Sequence, residues 1–230
     1  MNIINKKDNN SFKSNLIKYR SLSEITTGLI RRDIIRGKLL PGLHVTEKNL
    51  SDKFGVSRLV IREATISLIS EGLLLKEKNK YTQVVDFSKK DISDIFELRI
   101  ALEVSAIKKY IELGSNKLDI LKSKSVMLDK LSSRYKLNNI ETLVRKDIEF
   151  HKMIVEETKN KILINVWEKL SFKVLLLLYK YVINRKSKDI ELSFDHNKIV
   201  NAILDGEEKF AQDVITEHIG VVNSYLLDNF

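Results

Sequence analysis

The chain contains no cysteine. Disulfides and thiolate metal sites are thereby excluded, and the absence suits a reducing interior better than secretion. Proline is almost as scarce, with Pro41 the only one in 230 residues. Beyond Ser88 no prolyl break interrupts the chain, and glycine is confined to Gly114, Gly206 and Gly220. Long apolar runs are missing too. The longest, Val174-Leu175-Leu176-Leu177-Leu178, is flanked by Lys173 and Lys180 and is far too short to span a bilayer. The opening MNIINKKDNNSFKSN lacks the apolar core of a signal peptide. These absences read as a soluble, cytoplasmic protein with no membrane partner. Hydrophobic residues, at 43%, suffice for a packed core.

Charge is the next informative feature. The formal net charge is +9, but residues 1–87 hold 16 Lys/Arg against 9 Asp/Glu, whereas residues 88–230 hold 24 against 22. A basic first third on a near-neutral remainder suggests a polyanion-binding head on a body with another task.

The local patterns divide the chain into three parts. Residues 1–20 are polar, rich in Asn and Lys, and read as a flexible N-terminal arm. Residues 21–87 carry a helix from Ser21 to Gly37, a short helix begun by Thr46, and a third from Arg58 to about Ser70. Gly55 stands where a helix end needs positive φ, and Ser57 is a good N-cap for the third helix. Two strand-like runs follow, Leu73–Glu77 and Thr82–Asp86, joined by Lys78-Asn79-Lys80. Residues 88–230 show six amphipathic runs, near 91–113, 117–136, 140–158, 161–184, 190–205 and 207–228. The predicted fold is therefore mainly α: an N-terminal winged helix-turn-helix followed by an all-α antiparallel helix bundle. Residues 167–179 are apolar almost all round and are expected to form the central bundle helix.

A winged helix-turn-helix must fit one helix in the major groove and brace it with another across a tight turn. Leu50 and Phe54 offer the brace, and Ile61 and Leu68 anchor the reading helix. Arg58, Leu59, Arg62 and Thr65 are then expected to face outward, where an Arg can bond guanine O6 and N7 together. Ser57 and the helix N-terminus can hold a phosphate. An i, i+4 Arg pair alone could equally be a solvated helix face.

The segments Ile34-Ile35-Arg36-Gly37-Lys38-Leu39-Leu40-Pro41-Gly42, Val45-Thr46-Glu47, Phe54-Gly55-Val56-Ser57-Arg58, Ile61-Arg62-Glu63-Ala64 and Glu71-Gly72-Leu73 together resemble the winged helix of the GntR family. The resemblance implies DNA contacts at Arg58 and Arg62, helped by Lys48 on the preceding helix. Two positions depart from the family pattern. Leu59-Val60 stands where the family has Thr-Pro, so residue 59 can meet a thymine methyl but cannot donate a hydrogen bond. Tyr81 stands where the wing carries a glycine, which makes the wing bulkier, while Lys78 and Lys80 remain expected phosphate contacts.

Histidine is scarce: His44, His151, His196 and His218. Asp147 and His151 are i, i+4 and share a helix face, and carboxylate plus imidazole suits Zn²⁺, Ni²⁺ or Mn²⁺. By itself such a pair is a weak signal. The segments Asp147-Ile148-Glu149-Phe150-His151, Asp195-His196-Asn197 and Glu217-His218-Ile219, with Glu97-Leu98-Arg99 and Glu103 upstream, resemble the FCD branch of the same family. The resemblance implies that Asp147, His151, His196 and His218 bind one divalent cation, Zn²⁺ first, inside a helix bundle. It also implies that Arg99 faces a small organic acid effector; the plainer reading of Arg99 is a salt bridge with Glu103.

The expected function is therefore a DNA-binding transcription regulator, a repressor, acting as a homodimer on a two-fold double-stranded operator and answering a carboxylate metabolite at the metal. Two alternatives stay open. One is a constitutive DNA-binding dimer with a structural metal. The other is a metal-dependent hydrolase, for which the chain offers neither His-Glu-x-x-His nor a nucleophile motif.

Overall fold

Helix signals in the first third act locally. In the computed structural model, which describes residues 21–77, 81–114, 117–133, 139–187 and 195–229, Ser21 and Glu24 form a reciprocal capping box. It opens α1 (Leu22–Ile35). A two-residue strand, β1 (His44–Val45), comes next; no sequence pattern announced it. Thr46 then accepts the Asn49 amide and starts α2 (Glu47–Phe54). Gly55 closes α2 in the left-handed region at φ 67°, and Ser57 caps α3 (Arg58–Ser70). The wing is β2 (Leu74–Lys76) with β3 (Thr82–Val84). The sheet order is β1-β3-β2, all antiparallel, with Leu75 opposite Gln83 and His44 opposite Gln83 on the other side. The arm at 1–20, and Lys78 and Lys80 at the wing turn, lie outside the described residues.

One apolar cluster holds this head together: Ile30, Ile34, Leu39, Val45, Leu50, Ile61, Ala64, Leu68, Leu73, Leu74 and Val84. Burying a side chain of this size contributes about 1.5–3 kcal/mol. Thr65, expected to face outward, is instead buried, and its hydroxyl donates to the Arg62 carbonyl. At i+4 from Ile61 and one residue from Ala64 it falls on the inward stripe, which decides its direction.

The remainder is helical: α4 (Lys89–Leu113), α5 (Leu118–Ser133), α6 (Ile140–Glu156), α7 (Lys161–Ser187), α8 (His196–Asp205) and α9 (Glu208–Asn229). Helix α4 lies along α9, α6 along α7, and α5 along α8. Their shared core is a second cluster that includes Phe96, Tyr110, Phe150, Trp167, Leu178, Ile199 and Ile219.

Helix α7 is not simply the central bundle helix that its apolar circumference suggested. Trp167, Leu170, Val174 and Leu178 face the bundle core, while Phe172 and Leu176 pack on the head cluster. In return α1 lends Ile35 to the bundle core. Polar contacts seal the joint. Arg31 makes a two-pronged ion pair with Glu71, at 2.8 and 2.7 Å, and lies over the Phe172 ring. Arg36, after α1, reaches Glu141 at the start of α6, which Arg145 also holds. Gly72, at φ 70°, ends the reading helix so close to α7 that a Cβ there would sit 2.6 Å from Lys173 Cε.

Leu68 is at 0% exposure in the head core. Leu68→Ala is expected to cost about 2–5 kcal/mol in urea unfolding. A loss below about 1 kcal/mol would show that this core is not assembled around α3.

Candidate DNA-reading face and candidate metal centre

The reading helix is anchored by Ile61, Ala64 and Leu68, so a 3.6-residue period sends Arg58, Leu59, Arg62 and Glu63 outward. All four are exposed, Leu59 to 67%. Lys48 is exposed on α2, and Ser57, also exposed, accepts the Val60 amide at the start of the reading helix. Arg62 stands 3.9 Å from Glu47 in a solvent-exposed pair, a contact of little worth that a phosphate or base edge can displace. Ser57, Arg58, Leu59 and Arg62 therefore share the exposed N-terminal part of α3, while Lys48 is exposed on α2. Tyr81, the wing departure, stacks on His44 with ring centroids 3.9 Å apart. The aromatic ring that replaces glycine is folded against β1.

In the bundle, α6 carries Asp147 and His151 one turn apart, α8 opens with His196, and α9 brings His218. One ligand atom from each of the four lies within 4.8 Å of the other three. His196 Nε2 is 3.1 Å from Asp147 Oδ1, and His151 Nε2 is 3.9 Å from the same oxygen. Asp147, His151 and His196 are fully buried; His218 is only partly so.

Each ligand's surroundings explain its charge. Burial pushes Asp147 upward, but the His151 charge, the His196 hydrogen bond and Arg99 outweigh it and hold the carboxyl well below its usual range. Burial lowers His151, and it lowers His218 much further with help from the neighbouring imidazoles. His196 is pushed down by burial, yet its hydrogen bonds to Asp129 and Asp147 prevail and raise it.

Arg99 is 2% exposed and gives its Nε–H to Glu103 at 2.8 Å, so the salt-bridge reading describes one half of the guanidinium. The other half points elsewhere. Nη2 has no hydrogen-bond partner and lies 3.9 Å from Asp147 Oδ2.

Two carboxylates near the ligands were not legible as such. Glu103 accepts from His151 Nδ1 at 2.6 Å, and burial's upward push on it is overcome by His151 and Arg99, which hold it at about 2. Its sequence signals were the i, i+4 spacing from Arg99 and its place in the FCD resemblance, and neither joined it to His151. Asp129 on α5 accepts the His196 amide at 3.2 Å and lies 3.6 Å from His196 Nδ1. It does the capping that Asp195 does not, since the Asp195 side chain makes no cap bond. Asn197 donates to the other Asp129 oxygen.

Comparison with known proteins places this architecture. The family described as bacterial regulatory proteins, gntR family, matches residues 22–84, and the FCD domain matches residues 94–221. The chain is 26% identical over 195 residues to the gluconate operon transcriptional repressor of Bacillus licheniformis, spanning 81% of this chain and 79% of that protein. Two solved structures share the fold. McbR/YncC of E. coli is 19% identical with a TM-score of 0.69, covering 91% of this chain and 99% of its own. A putative transcriptional regulator GntR from Rhodococcus sp. RHA1 is 18% identical with a TM-score of 0.71, covering 92% and 100%. Among the described residues no helix is long and apolar enough to cross a membrane. With the FCD match alone spanning more than half of it, the chain belongs to the GntR family of bacterial transcription regulators, in the FCD branch, and is not an enzyme.

Proposed function

We propose that this regulator is a repressor whose grip on a two-fold operator is set by a divalent cation and a small carboxylate held in its helical body. The observation that carries the reading is the quartet Asp147, His151, His196 and His218, in which His151 Nε2 and Asp147 Oδ2 are buried without a hydrogen-bond partner. Leaving such atoms unpaired costs about 1–3 kcal/mol each, and a bound cation offsets that cost. Charge points the same way. Asp147 and Glu103 are two wholly buried carboxylates facing one buried Arg99 guanidinium, a deficit that a cation reduces. Three imidazoles and a carboxylate suit Zn²⁺ foremost, with Ni²⁺ or Mn²⁺ also compatible.

Four protein ligands fill a tetrahedral shell, so an organic acid joins only where the ion takes five or six ligands, as Ni²⁺, Mn²⁺ or an expanded Zn²⁺ site does. The buried Arg99 Nη2, without a hydrogen-bond partner, supports a role for it as the donor to that carboxylate. The relative named for the gluconate operon fits this class, since gluconate is a hydroxycarboxylate. On DNA, Arg58 and Arg62 read base edges, Leu59 packs on a thymine methyl, and Lys48, Ser57, Lys78 and Lys80 hold phosphates. Two heads on a two-fold operator require a homodimer, with the arm 1–20, the head 21–87 and the body 88–230 as its three parts.

Operator sequences selected from random duplex DNA test the reading face. Arg58→Ala and Arg62→Ala should each weaken the selected site by about 1–3 kcal/mol, roughly 10–100-fold, with unchanged thermal unfolding. Unchanged footprints in both variants would sink the assignment. Wild-type affinity should fall steeply with added salt as phosphate counterions are released, by about 10³-fold or more between 50 and 200 mM if six phosphates are neutralised. A flat dependence contradicts phosphate binding. Elemental analysis of purified protein should find one divalent metal per chain, lost from His151→Ala and from His218→Ala; stoichiometric metal in the double variant would refute the site.

A further inference from the structure

Glu103 is wholly buried at the meeting of three helices, and neither DNA reading nor metal ligation accounts for it. Its two oxygens are divided between three donors. Oε2 takes His151 Nδ1 from α6 at 2.6 Å, and Oε1 takes Arg99 Nε from α4 at 2.8 Å and Trp167 Nε1 from α7 at 3.1 Å. A carboxylate only accepts, so the proton of neutral His151 must sit on Nδ1 and the lone pair on Nε2. That Nε2 is the atom buried without a partner beside Asp147.

We propose that Glu103 is the positioning residue of the metal centre: it holds His151 in the tautomer and ring orientation that present Nε2 to the metal, and it relays occupancy of the centre to α7 through Trp167. The inference rests on the metal reading above. Partners of this kind orient imidazole ligands and raise their basicity. The second half follows from the order of residues on one rigid helix. Trp167 touches Glu103, and five residues later Phe172 packs in the head core under Arg31, which grips Glu71 at the end of the reading helix. Any shift of Glu103 when His151 is ligated reaches the indole directly through this bond. Trp167 is the only tryptophan in the chain, so its emission reports this one junction.

Full-length protein stripped with a chelator is titrated with Zn²⁺ against a chromophoric competitor while tryptophan emission is followed. Wild type should bind one ion per chain, with an emission change at the same midpoint. Wild type that binds no ion fails the metal reading itself; binding without an emission change overturns the relay. Glu103→Gln replaces one acceptor oxygen by an N–H group. The remaining oxygen satisfies two donors when it faces Arg99 and Trp167, so the amide N–H is left against His151 and favours the opposite tautomer. Zn²⁺ affinity should fall about 10–100-fold. Affinity within about threefold of wild type overturns the proposal.

Trp167→Phe removes another hydrogen bond to the same carboxylate without touching the tautomer. It should keep Zn²⁺ affinity within about threefold of wild type. A loss as large as that of Glu103→Gln would mean general loosening and would overturn the positioning role. Should Glu103→Gln fail to fold, wild-type protein labelled with ¹⁵N-histidine decides on its own. The Zn²⁺-loaded protein should show His151 protonated at Nδ1 and ligated through Nε2, and the reverse assignment overturns the proposal.

Discussion

A carboxylate at zero exposure is tolerable only when donors answer it, and in this bundle the answer to Glu103 comes from three helices at once. Arg99 neutralises its charge, His151 takes one oxygen, and Trp167 shares the other. Breaking such a buried pair by removing one partner costs about 3–5 kcal/mol. The three helices are thereby held in one register, and the ligand quartet inherits it. His151 has no freedom to turn because its Nδ1 is occupied. His196 is approached from the opposite side by Asp129, which accepts its backbone amide and lies 3.6 Å from its ring Nδ1. His218 differs, because it has no carboxylate partner among the described residues and is only partly buried. The three imidazoles are thus held unequally, His151 most tightly.

The joint between head and body is built by exchange. Phe172 and Leu176 leave the bundle for the head core, and Ile35 leaves the head for the bundle core. Apolar exchange has no preferred direction, so orientation falls to the polar pairs around it. Arg31 lies over Phe172 and grips Glu71, while Arg36 and Arg145 converge on Glu141. Glu141 and the ligand pair Asp147 and His151 belong to one helix, α6. The end of α3 and the helices that carry the candidate metal quartet are therefore mechanically contiguous, which any coupling between the two candidate sites requires. Two alternative arrangements of this joint would make the coupling allosteric.

Much of the head was legible because its signals are local. Thr46, Gly55 and Ser57 each act on amides within three or four residues, so helix α2, the turn and helix α3 could be read in order, with α3 spanning Arg58–Ser70. Thr65 was misplaced where periodicity is ambiguous, at the border of the inward stripe. Strand β1 was missed because two residues cannot show alternation, and it exists only because β3 pairs with it. In the bundle, the i, i+4 spacing of Asp147 and His151 was a true neighbour relation, but nothing local joined them to His196 or His218. Only resemblance suggested that set, and packing brings it within 4.8 Å. Glu103 and Asp129 contact His151 and His196 across 48 and 67 residues of chain, and Trp167 contacts Glu103 across 64, all beyond any periodic signal.

By itself the sequence determined the helix caps, the turn, the basic head, the absence of thiol chemistry and the residue types able to bind a cation. These depend on backbone sterics and on donors and acceptors a few residues apart, which spacing encodes directly. Tertiary structure decided that Glu103 serves His151 as well as Arg99, that Asp129 caps a helix it does not belong to, and that α7 divides its apolar surface between two cores. Each of those outcomes sets charges or methyl groups from distant segments in contact, and their energies exist only once the chain has closed around them.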